Sequence, residues 1–142
     1  MRLLAQVDAL RAQDAAEAAE AARVLEAQAQ RIEHLAVATK ARWYLIDALR
    51  RAGRLDEALA LGRVARAEFA EIQPWDMYIP EAWAIARRLF QQAGDAEAAR
   101  DALRQGLAWI DAALPDVPDE FRSSFRNRNP INEWLLAGRT TL

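Results

Sequence analysis

The sequence has no cysteine and only one histidine, His34. Without cysteine it can form no disulfide, no thiolate metal site and no cysteine nucleophile. A histidine metal site or a Ser-His-Asp triad would have to be built around His34 alone. Its i+4 neighbour, Ala38, cannot ligate, and Glu33 points to another helical face. His34 is therefore expected in solvent or between helices. Only five glycines and five prolines occur in 142 residues, and no Val-, Ile- and Thr-rich run alternates with period two, so a sheet has no material. No apolar run approaches the roughly 18 to 20 residues of a membrane span. The stretch MRLLAQVDALRAQDAAEAAE has no uninterrupted h-region, so a cytoplasmic location is expected. A net charge of -2 argues against nucleic acid, whose binders carry a basic face. Neither a glycine-rich phosphate loop nor a pair of carboxylates in an apolar setting appears. The chain reads as a non-enzyme with no catalytic residues, no cofactor and no metal.

What is present is helix-forming. Hydrophobic residues make up 53% of the chain, many of them alanine, which favours helix but fills a core poorly. The length suits one domain, and the fold class expected is all-α. Leu3, Leu4, Val7 and Leu10 fall at helical spacing and predict a first helix over residues 2–12. Asp14 can cap the next helix, which runs to about Gln30. No glycine or proline marks its end. A break near Gln28 to Ile32 is preferred to one long helix from Asp14 to Ala52, because Ile32, Leu35, Trp43, Leu45, Ile46 and Leu49 do not continue the earlier apolar stripe. Gly53 reads as a left-handed C-cap with Arg50 and Arg51 in the last turn. The following helix, over about residues 55–71, has Asp56 and Glu57 near its positive end. The connector IQPWDMYIP, residues 72–80, is too apolar for a solvated linker, and its Trp75, Met77, Tyr78 and Ile79 should pack over a helix end. Helices over 80–93 and from Asp95 to about Ala113 follow, separated by Gly94. Two short ones are predicted at 118–127 and 130–137, the second capped by Asn129 with Pro130 at its first position.

Gly53 and Gly94 are each followed five residues later by an alanine, Ala58 and Ala99, and Gln13 to Ala18 is a degenerate third copy. Ala18, Ala58 and Ala99 recur at intervals of 40 and 41 residues, a period typical of helical-hairpin solenoids. The third copy reads Trp83-x2-Ala86-Arg87-x2-Phe90 and then Ala99-x3-Leu103. This resembles the tetratricopeptide repeat, W-x2-L-G-x2-Y followed by A-x3-F. The second copy is weaker, with Leu45, Ile46 and Leu49, then Ala58-x3-Gly62, and Trp43 one place past the expected tryptophan. The period exceeds the standard repeat of about 34 residues, as in the extended repeats of large bacterial signalling and transcription-regulator proteins. The resemblance implies a right-handed α-solenoid of about three hairpins, over 1–30, 31–71 and 72–113. A short capping helix pair and tail, 114–142, would complete it. Small residues at Ala58, Gly62, Ala99 and Gly106 would let paired helices approach closely. In the tail, Phe121, Phe125, Arg128, Pro130 and Asn132, followed by Trp134, Leu135 and Leu136, are similar to the segment that ends repeat arrays in some of those regulators. Such a cap covers the apolar face of the last repeat.

Function follows from the resemblance as an expectation. The first helices of successive tetratricopeptide hairpins line a concave groove, which places Lys40, Trp43, Asp47, Arg50 and Arg51 of one hairpin on it, and Glu81, Ala84, Arg88, Gln91 and Gln92 of the next. Arginines on this surface suit an acidic or carboxylate-bearing peptide. The asparagine and lysine set of the chaperone-tail clamp is absent. Arg122, Arg126 and Arg128 form a local basic patch, which pairing with Asp116, Asp119 and Glu120 would explain. The expected role is a protein-interaction scaffold in signalling or transcriptional regulation. The alternative is a homo-oligomerisation module, in which Leu3, Leu4, Val7 and Leu10 pair with a second copy.

Overall fold

Alanine-rich segments with a polar residue at the start and a left-handed residue at the end become helices in the computed structural model, which describes residues 14–74 and 77–142 together with Gln6. The expected helix over 2–12 and the connector tryptophan Trp75 lie outside the described residues. Seven α-helices occur among the described residues: α1 (Ala15–Arg31), α2 (Leu35–Arg51), α3 (Leu55–Glu71), α4 (Ile79–Ala93), α5 (Ala96–Ala113), α6 (Asp119–Asn127) and α7 (Pro130–Ala137). Short 3-10 turns follow α5 at Leu114–Asp116 and α7 at Gly138–Thr141. The described residues contain no strand.

The helix ends have a common chemistry. Asp14 Oδ1 accepts from the Ala16 N–H at 3.0 Å and Asp95 Oδ1 from the Ala98 N–H at 3.1 Å. Asn129 Oδ1 accepts from Ile131 and Asn132. Each bond satisfies an N–H that the first turn leaves free. At the other end, α2 and α4 stop at Gly53 and Gly94, with φ of 78° and 77°. Arg54 N–H reaches back to the Leu49 carbonyl and Asp95 N–H to that of Phe90, both at 2.9 Å, closing a Schellman motif in each case.

The break between α1 and α2 uses the same device without a glycine. Glu33 is left-handed at φ 56°, and the His34 N–H donates to the Ala29 carbonyl at 2.8 Å. His34 then caps α2, its Nδ1 accepting from Val37 N–H. The single long helix is thus excluded, and the break falls at 32–34, slightly later than the sequence suggested.

The chain divides into two compact units, 1–77 and 78–142. In the first, α2 packs on both α1 and α3. Trp43, Ile46 and Leu49 are fully enclosed, each such side chain contributing about 1.5–3 kcal/mol. The Trp43 ring meets Phe69 edge-on, centroids 5.6 Å apart. Arg42 ties the three helices together, donating to Glu26 of α1 at 2.7 Å and to Glu68 of α3. Burial alone would lower its pKa, but the two carboxylates overcome that and raise it. Arg23 of α1 pairs with Glu57 of α3 at 2.9 Å. Hydrogen bonding to Arg54, with Arg23 adding its charge, holds the Glu57 carboxyl below its ordinary value.

In the second unit, α4 and α5 form a hairpin on which α7 lies. Ala84, Leu103, Leu107, Ile110 and Leu135 make one core, with Phe125, Ile131, Trp134 and Leu136 against it. Gly106 is a point of close approach: a Cβ there would fall 3.1 Å from Leu135 Cδ1 and 3.3 Å from Trp83 Cβ. Asn132, fully buried, accepts from the Tyr78 hydroxyl and donates to the Phe125 carbonyl at 2.9 Å. Burial raises the Tyr78 pKa, which keeps the phenol protonated as donor. Tyr78 also meets Trp109 edge-on at 5.3 Å. Phe121 departs from the expected cap, being 56% exposed.

Candidate partner-binding surface

Helix α2 presents its expected surface only in part. Trp43, at 1% exposure, is a core residue and is withdrawn from the binding set. Its ring faces Phe69 of α3. The sequence signal was available: in an amphipathic helix the largest apolar side chain fills the interface. The indole Nε1 has no hydrogen-bond partner, so the ring is held by packing alone. Lys40 is also buried, at 9%, which removes it from the accessible surface.

Asp47, Arg50 and Arg51 remain together near the end of α2. Asp47 accepts from Arg50 Nη2 at 2.9 Å and from Arg51 Nε at 3.1 Å. Such i,i+3 and i,i+4 pairs follow from helical geometry and stabilise by a few tenths of a kcal/mol. They also spread one carboxylate over two guanidiniums.

Helix α4 is different. Arg88, Gln91 and Gln92 are exposed on one face, at spacing that makes them neighbours. The Arg88 guanidinium lies over the Trp134 ring of α7, 4.5 Å from its centroid, and so does that of Arg87. Arg87 is buried, at 7% exposure. Burial pushes its pKa down and the adjacent Arg88 adds to that, though a guanidinium stays charged. Gly138 leaves the room that the Arg87 guanidinium occupies: a Cβ at 138 would lie 2.5 Å from Arg87 Nη1. Sequence reasoning had assigned Trp134 to the cap and Arg87 only to the motif. Nothing in a single sequence links positions 47 residues apart.

The arginines of α6 behave as pairing predicts only for Arg122, which bonds the Val117 carbonyl at 3.0 Å and Asp119 at 2.6 Å. In the first unit, a cleft of about 350 Å³ is lined by Leu35, Ala38, Arg42, Trp43, Phe69 and Ile72 among others. Ile32, Leu35 and Ile72 beside it are 61%, 62% and 62% exposed. Among the described residues no three acidic or histidine side chains gather as a metal site, and no helix is long and apolar enough to cross a membrane. No protein-family model, curated protein or solved structure matches the chain.

Proposed function

We propose that this chain is a non-enzymatic interaction scaffold, a right-handed tetratricopeptide-like solenoid that binds an acidic peptide or protein segment in signalling or transcriptional regulation. The observation that carries this reading is the α4 face, where Arg88 lies exposed beside Gln91 and Gln92. No carboxylate of the described residues pairs with Arg88, whereas Arg23, Arg42, Arg51 and Arg122 all have acidic partners. A cation held in place over an aromatic ring, with hydrogen-bonding amides one turn away, suits a carboxylate-bearing chain. In the first unit, taken by itself, Asp47, Arg50 and Arg51 are the expected α2 residues left on the surface, without Trp43 and Lys40.

Affinity capture with the wild-type chain and with Arg50→Glu plus Arg88→Glu tests this. The double variant should lose the captured partner while keeping its helical circular dichroism. Unchanged capture of every partner removes the assignment.

Self-association is a second reading, now resting on a different surface from Leu3, Leu4, Val7 and Leu10, which lie outside the described residues. The cluster of exposed Ile32, Leu35 and Ile72 is the kind of apolar patch that pairs with a second copy. Light scattering decides it: a concentration-dependent dimer that Leu35→Ser abolishes supports it, and a monomer at high concentration excludes it.

A further inference from the structure

Two guanidiniums share one indole ring. Arg87 and Arg88 each lie 4.5 Å from the centroid of Trp134, so the charges are no more than twice that distance apart. Neither is in a salt bridge among the described residues, whereas the part-buried Arg42 and Arg50 each have an acid within 2.9 Å. A buried charge without a counter-charge is costly. A cation–π contact returns only about 0.5–2 kcal/mol, and the second cation adds repulsion. The cluster therefore holds two positive charges with no acidic group paired to either.

We propose that Arg87, Arg88 and Trp134 form an oxyanion site, which takes a carboxylate or phosphate group approaching from the exposed Arg88 side. Each guanidinium offers a planar fork that matches two oxygens, and the Trp134 ring fixes the orientation of both forks. The Gly138 backbone covers the Arg87 end without a side chain that would compete for it. Arg88 makes the first contact, and Arg87 supplies a second, less hydrated charge behind it. The site deepens the scaffold reading, on which it rests, by naming the anchor for an acidic residue of the partner.

The test uses the full chain with two probes, inorganic phosphate and an N-acetylated, C-amidated tetraglutamate peptide. The Nε–Hε resonances of Arg87 and Arg88 and the Trp134 indole N–H are followed by NMR. Saturable shifts of these three signals are expected. Arg88→Ala should weaken binding by roughly tenfold or more, the loss of one charge-assisted contact. Gly138→Ala, which displaces the Arg87 guanidinium without removing it, should weaken it as well while helicity is kept. Tighter binding of the peptide identifies a carboxylate as the natural group, and tighter binding of phosphate identifies a phosphate. Absence of shifts at large molar excess of both probes, or binding unchanged in Arg88→Ala and Gly138→Ala, overturns the site. If the probes fail but Arg50→Glu plus Arg88→Glu still loses a captured partner, the anion site falls and the scaffold stands. If the probes bind but nothing is captured, the site stands and the scaffold falls.

Discussion

Single residues decide how closely the second unit packs. At Gly106 an added methyl gains about 1 kcal/mol of helix propensity. It would also press on Leu135 at 3.1 Å and on Trp83 Cβ at 3.3 Å, and the second contact is held by the α4 backbone. Overpacking of this kind costs about 1–3 kcal/mol. Gly106→Ala is therefore predicted to destabilise the protein by about 1 kcal/mol in urea denaturation; a stabilised variant would show that the helices have room to part. Asn132 is the polar counterpart. Its amide links the Tyr78 hydroxyl to the Phe125 carbonyl, so Asn132→Leu leaves the Phe125 carbonyl without that donor and the Tyr78 hydroxyl with Asn129 alone. A cost of about 1–3 kcal/mol is predicted, with Tyr78→Phe in the same background recovering part of it. A double-mutant cycle measures the coupling.

At the scale of elements, the helix ends carry most of what the sequence disclosed. Gly53, Gly94, Asp14, Asp95, Asn129 and Pro130 act through residue-specific backbone and side-chain chemistry, and each marks its boundary in the structure as expected. The α1–α2 break was harder to place because Glu33, not glycine, adopts the left-handed conformation, and its signature is in the dihedral angles and not in the residue type. That strain is testable. Glu33→Gly removes the Cβ penalty of about 1–2 kcal/mol but loosens the unfolded chain, so a net stabilisation of about 0.5–1 kcal/mol is predicted. Thermal unfolding measures it, and a lower melting temperature would contradict the left-handed assignment. The candidate surface was less legible than the caps. Register puts Arg88, Gln91 and Gln92 on one face of α4, and all three are exposed. It failed for Trp43 and Lys40, because which side of α2 is covered depends on how α3 packs against it, a tertiary matter. The Arg87–Trp134 contact depends on where the tail lies, which no local pattern encodes.

The whole molecule comprises two helical units, 1–77 and 78–142, each with an edge-on aromatic pair, the buried Trp43 and Phe69 in one and the half-buried Tyr78 and Trp109 in the other. The cap helices share a core with α4 and α5, so the tail that the sequence set apart belongs physically to the last hairpin. It also supplies the ring that holds the α4 arginines. The tail covers an apolar face and holds two cations over one ring in the same act. Amide chemical-shift mapping with a saturating acidic peptide tests this most directly. The account predicts perturbations concentrated on Trp83 to Ala93 of α4 and on Trp134 to Gly138, reversed by added salt as exposed charge pairing requires. Perturbations confined to α1 and α3, or none at all, would contradict it.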